Sequence, residues 1–238
     1  MVRKEFPNAK LIRNSQNLGF SRANNQAIQV SHGRYLLLLN SDTELGIGVL
    51  GHMVKFMNEN EDAGAATCRL LLPNGNLDPA CHRGFPTPWA AITYFIGLEK
   101  LFPRSSLFGQ YHLRFCDMEQ IHEIDSPSGA FFFVRREALE GAGLLDESFF
   151  MYGEDLDWAY RIKNTGWKIL FDPTVEVLHR KKQSGRAHEN GEIRKETNKH
   201  FYQAMELFYR KHYREKYGWL LSSIILFVIT VKIKHTSL

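Results

Sequence analysis

The chain has 238 residues, which is enough for one large domain or two small ones. Its hydrophobic content of 44% and charged content of 24% are typical of a globular protein with a buried core rather than a disordered chain. The cysteines Cys68, Cys81 and Cys116 form no Cys-x-x-Cys pair, which argues against a disulfide framework or a zinc site. A reducing compartment is the simplest fit. The first residues contain no apolar segment of the kind found in signal peptides, so we expect no signal peptide.

The net charge of +4 is unevenly distributed. From Arg180 to Leu238 there are 13 basic and 5 acidic residues, a balance of +8, whereas residues 1–179 carry 17 basic and 21 acidic residues, a balance of −4. A basic tail on a mildly acidic body predicts an anionic partner. No nucleic-acid motif is visible and the tail ends in an apolar run, so we expect an anionic membrane surface rather than nucleic acid.

The first forty residues predict a parallel α/β unit. A short strand over Lys10–Arg13 precedes a helix over Ser21–Val30, and the apolar run Tyr35–Leu39 is typical of a strand buried on both faces. Strand, helix and strand in this order imply parallel pairing. The pattern then predicts a helix over 48–58, a strand over 64–71, a turn at Pro73–Asn76 and an irregular aromatic segment over 84–115.

The second half predicts further strands and a helical tail. The predicted elements are a strand over Ile121–Asp125, a turn over Ser126–Gly129, a buried strand over Ala130–Val134, a helix over Arg135–Gly141, a strand over Trp167–Phe171, a turn at Asp172-Pro173 and a strand over Val175–His179. A charged helical pattern covers 192–216, and an apolar run of 13 residues covers Trp219–Val231. That run falls short of the roughly 20 residues of a membrane span, so an interfacial helix, a re-entrant segment, a shortened span and a buried core helix all stay open.

Two acidic stretches are candidates for chemistry. Glu154, Asp155 and Asp157 lie within four positions at a predicted helix start, where acidic residues also serve as ordinary caps. Asn40 and Asp42 directly follow the apolar strand, and ligands of open α/β sheets bind beyond the carboxyl ends of strands. A carboxylate there suits Mg²⁺ or Mn²⁺, although an Asx turn is an equally good explanation.

Four segments in order, with a histidine after them, carry a family resemblance. They are Asn17–Ile28, Leu38–Thr43, Ser128–Phe131 with Arg135 and Arg136, and Phe149–Asp155 with Arg161, followed by His179. Together they resemble the family-two glycosyltransferases, especially the rhamnosyltransferase-like branch, over about residues 10–180. The resemblance implies an α/β, Rossmann-like GT-A fold with a mostly parallel sheet flanked by helices. It places the transferase domain at 1–180 and a helical membrane-associating tail at 181–238.

The resemblance also implies roles for individual residues. It assigns the donor site to Asn17, Gly19, Asn24, Asn40 and Asp42, the divalent metal (Mg²⁺ or Mn²⁺) to Asp42 and His179, the catalytic base to Asp155 with Glu154 beside it, and the acceptor side to Ser128, Gly129, Ala130 and Asp157. An inverting transfer needs one base, which takes the proton of the acceptor hydroxyl. A metal offsets the charge that develops on the nucleotide diphosphate as it leaves.

The implied partners are a dTDP- or UDP-sugar donor and a lipid-linked glycan acceptor, at the cytoplasmic face of the cell membrane, with peripheral or single-helix attachment. The family pattern usually begins with two further strands that cradle the base and ribose, and this sequence begins near the third. An exposed sheet edge then predicts self-association or a partner chain that supplies the missing strands. Two alternatives to an active rhamnosyltransferase follow: a truncated, non-catalytic module that binds a membrane complex or partner transferase, and a lipid-binding protein whose acidic stretch only caps a helix.

Overall fold

The computed structural model describes residues 1–181 and 191–237, which form a mixed sheet with helices packed on it. Residues 182–190 of the predicted tail lie outside the described residues. The strands are β1 (Tyr35–Leu39), β2 (Thr43–Leu45), β3 (Ala63–Leu71), β4 (His122–Glu123), β5 (Phe131–Arg135) and β6 (Lys168–His179). The helices are α1 (Val2–Glu5), α2 (Phe20–Gln29), α3 (Val49–Glu59), α4 (Pro88–Phe95), α5 (Leu98–Leu101), α6 (Arg136–Ala142), α7 (Glu154–Asn164), α8 (Gly191–His212) and α9 (Trp219–Ser237).

The strand order is β1-β5-β3-β6-β2, and β4 pairs with the first half of β6. Among the described pairings only β3 with β6 is parallel, and the others are antiparallel. The α/β class is therefore confirmed, but the expectation of a mostly parallel sheet is wrong. The reason is that β5 runs opposite to both of its neighbours.

Two strand predictions near the start differ from the structure. Lys10–Arg13 is exposed and forms no strand, so it has no part in a parallel unit. Tyr35–Leu39 does form a strand, but burial alternates along it: Leu36 and Leu38 are buried and Leu39 is 43% exposed. The physical reason is position, because β1 is an end strand of the described sheet. The continuous burial expected of an inner strand is found instead in β5 and over most of β3.

The predicted turn at Asp172-Pro173 is a bulge inside one long strand. β6 runs unbroken from Lys168 to His179, and its register on β3 jumps from Asp172 opposite Cys68 to Glu176 opposite Arg69. Proline has no N–H for the ladder, and the side chain of Asp172 accepts the Thr174 N–H instead (2.9 Å). The bulge therefore bends β6 without ending it, and the strand continues to His179.

The helix α8, assigned to a separate tail by the sequence, packs on α7. Phe208, Tyr209 and Tyr213 form an aromatic cluster with Phe149 and Tyr160. Asp157 is fully buried at this contact, where it accepts hydrogen bonds from Arg161 Nε (2.8 Å) and His212 Nε2 (2.7 Å) and pairs with Lys211 Nζ (2.7 Å). Burial raises the pKa of Asp157, but the hydrogen bonds from His212 and Lys211 outweigh it and hold the pKa at about 2. The carboxylate thus fastens α8 to α7 electrostatically.

We predict that Asp157→Asn lowers the free energy of unfolding by about 3 kcal/mol at pH 6, because buried cations lose their counter-ion. The folded pKa lies below the ordinary value of about 3.9, so the ionised carboxylate stabilises the fold above about pH 4 and ceases to do so as the pH falls towards 2. In thermal melts the difference in stability between wild type and Asp157→Asn should therefore shrink as the pH falls from about 4 to 2. The matched control is Asp62→Asn at an exposed ion pair, which should change little. A gap that stays constant down to pH 2 would contradict this role.

Candidate active site

The ends of β1 and β6 bring Asp42 and His179 together. The chain leaves β1 through Asn40 and Ser41, and the next strand, β2, places Thr43 opposite His179. Asp42 Oδ1 then lies 3.5 Å from His179 Nε2. The structure thus juxtaposes the two residues that the sequence assigned to a metal.

A third residue, Asp78, orients this histidine, and sequence reasoning missed it. Asp78 is fully buried and its Oδ2 lies 2.7 Å from His179 Nδ1, while its Oδ1 accepts from Ala80 N–H and Lys181 Nζ (both 3.0 Å). Burial alone would raise the pKa of Asp78, but the hydrogen bond from His179 and the charge of Lys181 hold it well below its usual range. An ionised Asp78 accepts a hydrogen bond from Nδ1 of His179, so the other ring nitrogen, Nε2, is the one that faces Asp42. Carboxylate, histidine and metal in this order are the usual arrangement of a histidine ligand.

The acidic stretch begins α7 after a sharp turn of the backbone. Tyr152 has φ of 67°, and Gly153 caps the helix with φ of 77°. A Cβ at Gly153 would lie 3.1 Å from Phe149 and 3.2 Å from Ala204, so a larger residue would be crowded as well as strained. Glycine at this position therefore allows the first residues of α7, Glu154 and Asp155, to face the cleft.

Asp155 is held by a buried arginine and by a backbone amide. Arg83 donates from one nitrogen to Asp155 Oδ2 (2.7 Å) and to the carbonyl of Pro127 (2.6 Å), and Gly129 N–H lies 3.3 Å from the same oxygen of Asp155. The Arg83 guanidinium is buried, which by itself lowers its pKa, but Asp155 and then Tyr111 raise the pKa above its usual range. Arg83 is therefore a permanent cation that fixes where Asp155 points. No sequence pattern marks Arg83 apart from its place directly before the aromatic segment.

Glu154, which precedes Asp155, is buried without a charged partner in the described part of the chain. It is only 7% exposed, and among the described residues its Oε2 atom has no hydrogen-bond partner. Burial, and then the charge of Asp155, raise the pKa of Glu154 to about 8. At neutral pH this carboxyl group is therefore mostly protonated. A carboxyl group with a strongly raised pKa, next to a second carboxyl group held by an arginine, is an arrangement expected of an acid–base site.

The loop over residues 128–130 connects the two halves of the site. Ala130 O accepts from Asn40 N–H (3.1 Å), Gly129 N–H points at Asp155, and Ser128 Oγ accepts from Ala130 N–H (3.2 Å). The Asp42–His179 side and the acidic side are thus linked by backbone contacts within one short loop. This loop is the segment that the sequence assigned to the acceptor side.

One cleft of about 2080 Å³ contains most of the predicted site residues. The predicted residues that line it are Asn17, Gly19, Asn40, Asp42, Ser128, Gly129, Ala130, Glu154, Asp155 and His179. Asn24 and Asp157 do not line it: Asn24 donates to Phe20 O within α2 (2.9 Å), and Asp157 faces α8. For Asp157 the physical reason is helical geometry, because residues two positions apart project from different sides of α7.

The cleft continues from the polar residues to an apolar wall. Ile92 and Phe95 of α4 and Ile224, Val228 and Ile229 of α9 line this end. Within the described residues, α9 contains one stretch, Trp219–Thr236, that is long and apolar enough to cross a membrane, and only 11% of it is buried. The sequence prediction of 13 residues was too short, because the helix continues through Lys232 and Lys234 to Ser237. A helix of membrane-spanning length therefore forms part of the cleft wall.

Comparison with protein families identifies the class. The model described as glycosyltransferase like family 2 matches residues 1–212, so the chain belongs to this family. That match includes α8 as well as the sheet. The predicted membership of glycosyltransferase family 2 is therefore confirmed.

The chain is similar to two rhamnosyltransferases. It is 27% identical over 196 residues to the N-acetylglucosaminyl-diphospho-decaprenol L-rhamnosyltransferase of Mycobacterium tuberculosis, covering 76% of this chain and 62% of that protein. It is 22% identical over 170 residues to rhamnosyltransferase WbbL of Escherichia coli K12, covering 68% of this chain and 60% of that protein. The chain thus spans about three fifths of the length of these relatives. A crystal structure of GalNAc-T7 with UDP, GalNAc and Mn²⁺ overlaps 84% of this chain and 39% of that chain, with a TM-score of 0.49 and 16% identity.

We predict that Glu154→Gln stabilises the protein increasingly as the pH rises from 5 to 8. The folded state keeps Glu154 protonated up to about pH 8, whereas the unfolded chain ionises near its ordinary value of 4.5, so the wild type loses stability over this range. Glutamine cannot ionise, and its advantage should grow by on the order of a few kcal/mol. Thermal melts at several pH values measure this, with exposed Glu59→Gln as the control. An advantage that does not grow with pH would refute the assigned protonation state of Glu154.

Proposed function

We propose that the protein is an inverting, metal-dependent glycosyltransferase that moves a sugar, most simply rhamnose, from a dTDP- or UDP-linked donor to a lipid-linked or polysaccharide acceptor in cell-surface glycan synthesis. The observation that carries the proposal is the cleft itself. It joins the Asp42–His179 pair, the Arg83-bound Asp155 with protonated Glu154 beside it, and an apolar wall that includes α9.

The residues on the metal side fit a divalent cation. An Asp42 carboxylate oxygen and Nε2 of His179 converge, and buried Asp78 holds the other ring nitrogen of the histidine. A carboxylate oxygen with an imidazole nitrogen suits Mn²⁺, and Mg²⁺ with added water ligands. When bound there, such a cation would offset the charge on the departing diphosphate. Asn17, Gly19 and Asn40 line the same part of the cleft and would contact the nucleotide.

The acidic side supplies the base. Asp155 takes the proton of the acceptor hydroxyl as that oxygen attacks the anomeric carbon, and the configuration inverts because no covalent intermediate forms. Arg83 and Gly129 N–H orient the accepting carboxylate. Glu154 stays protonated at neutral pH, so the cleft does not collect a second negative charge beside the base.

The apolar end of the cleft suits a lipid-linked acceptor. Its wall combines α4, where Phe95 and Ile96 are largely exposed, with the apolar face of α9. Lys216 and Lys232 flank the apolar part of α9, and cations at such positions favour an anionic membrane surface. A sugar on a membrane-embedded lipid would then reach Asp155 along the cleft. We therefore infer attachment at the cytoplasmic face of the membrane, where nucleotide-sugars are available.

A non-catalytic module that binds a partner transferase is the alternative function. The specific observation that favours it is that β1 ends the described sheet with one edge unpaired among the described residues. A second chain, or a further copy of this one, would pair there. The two functions differ in what the purified chain does with a donor.

We predict that Asp155→Asn lowers kcat of sugar transfer by a factor of about 10² to 10⁴, because the base is lost, while nucleotide binding persists. The assay would follow transfer from dTDP-rhamnose and UDP-sugars to a polyprenyl-diphosphate-linked sugar in detergent. Asp62→Asn, an exposed residue outside the cleft, is the matched control and should retain activity. Full activity in Asp155→Asn would reject the base. A folded wild-type chain that transfers none of these donors would favour the binding module.

A further inference from the structure

Outside the cleft, three side chains from the part of the chain between β3 and the start of β4 come close together. His82, Cys116 and His122 each direct a ligand atom to one point, and these atoms lie within 4.8 Å of one another. His82 is buried, whereas Cys116 and His122 are half-buried. None of the three lines the cleft or enters the transfer chemistry.

The hydrogen bonds of the two histidines fix their tautomers. His82 Nδ1 lies 3.0 Å from the carbonyl oxygen of His112, and His122 Nδ1 lies 2.8 Å from the carbonyl oxygen of Gln120. A carbonyl oxygen can only accept, so both Nδ1 atoms carry a proton. In each neutral ring the remaining nitrogen, Nε2, then presents a lone pair.

The two Nε2 atoms nevertheless lie only 2.5 Å apart. Two lone pairs at this distance repel each other unless a cation lies between them. A shared proton would place an imidazolium against buried His82, and burial disfavours the charged form of the ring. A metal ion between the two nitrogens removes the repulsion. It would also explain why the thiol of Cys116 lies beside them, since a thiolate can serve as a third ligand.

The surroundings resemble those of a metal-binding pair of histidines. Ligating histidines usually donate their second ring nitrogen to a backbone carbonyl, as both rings do here. Phe171 of β6 packs against both rings, with centroids 4.9 Å from His82 and 5.3 Å from His122, and so fixes their planes. The partial exposure of Cys116 and His122 leaves an entry path for an ion.

We propose that His82, Cys116 and His122 form a second metal site, for Zn²⁺ or a similar borderline-soft divalent ion, distinct from the Asp42–His179 pair. Two imidazoles and a thiolate are ligands that zinc favours, and about 3.3 to 3.7 Å separates such ligand atoms around tetrahedral zinc, so the histidines would separate slightly on binding. Cys116 releases its proton when it binds the ion. A solvent molecule would complete the four ligands.

The site would fasten the segment over residues 82–122 at both ends. This segment contains α4, α5 and many of the exposed apolar side chains. Closing a loop of this length by a metal restricts the unfolded chain and stabilises the folded one. His82 directly precedes Arg83, so the ion would also anchor the backbone from which Arg83 reaches Asp155.

The absence of a Cys-x-x-Cys pair argues only against zinc ligands that are close together in the sequence. These ligands come from three separate places in the chain, one of which is the strand β4, and only folding brings them together. No local spacing pattern could therefore have found the site.

Cobalt reports this site selectively, because thiolate coordination gives a charge-transfer absorption that an Asp–His site cannot produce. The full chain would be stripped with a chelator in detergent and titrated with Co²⁺, then with Zn²⁺. We expect the absorption to saturate at one equivalent of Co²⁺ and to be lost when Zn²⁺ displaces it. Zn²⁺ should also raise the melting temperature of the wild type.

Cys116→Ser and His122→Ala should abolish the thiolate absorption and reduce the rise in melting temperature with Zn²⁺. Both positions are half-buried, and a cooperative melt of each variant would show that it folds. His32→Ala, at an exposed histidine, and Asp42→Ala, in the cleft, should retain the absorption. A folded wild type without thiolate–cobalt absorption would overturn the proposal in favour of a shared proton between the two rings. Absorption that survives in Cys116→Ser would overturn it as well.

Discussion

The ion pair between Arg83 and Asp155 is the interaction on which the acidic half of the cleft depends. Both side chains are almost fully buried, and the pair joins three pieces of chain: the start of α7, the loop after β4 and the end of the turn after β3. A buried carboxylate without a partner would be too costly to keep ionised beside another carboxyl group. Arg83 supplies the cation that Asp155 needs. Glu154 has no such partner among the described residues and stays protonated at neutral pH. Arg83 thus holds Asp155, whereas burial, and then the charge of Asp155, raise the pKa of Glu154.

The bulge in β6 determines where His179 lies in the other half of the cleft, beside Asp42. It shifts the register on β3 after Asp172, and the strand then runs on beside β2 to His179. There Asp78, buried and held by His179, Ala80 and Lys181, fixes the ring. A turn at this point would have ended the strand before the histidine reached Asp42. The loop of residues 128–130 then connects this half to Asp155.

The sequence predicted the parts of this site that lie at ends of regular elements. Asp42 after an apolar strand and Glu154-Asp155 at a helix start are local patterns, and both lie in the cleft. Asp78 and Arg83 lie in irregular chain, and their importance comes from partners about 100 and 70 residues away, which no periodicity reveals. The antiparallel pairing of β5 was missed for a similar reason, because burial patterns report how covered a strand is and not its direction. Asp157 looked like part of the acidic group, but the rotation of α7 directs it to α8.

The most direct test of the account is the thermal stability of the chain with UDP, dTDP and GDP, each with and without Mn²⁺, and with Mn²⁺ alone as the reference. A ligand that binds only the folded state should stabilise it by about 2.7 kcal/mol at a hundredfold excess over its dissociation constant. We predict a shift with one nucleotide that requires Mn²⁺, disappears in Asp42→Ala and persists in Asp62→Ala. A folded chain that no nucleotide stabilises, or a shift that survives in Asp42→Ala, would contradict the assignment of this cleft as a metal-dependent donor site.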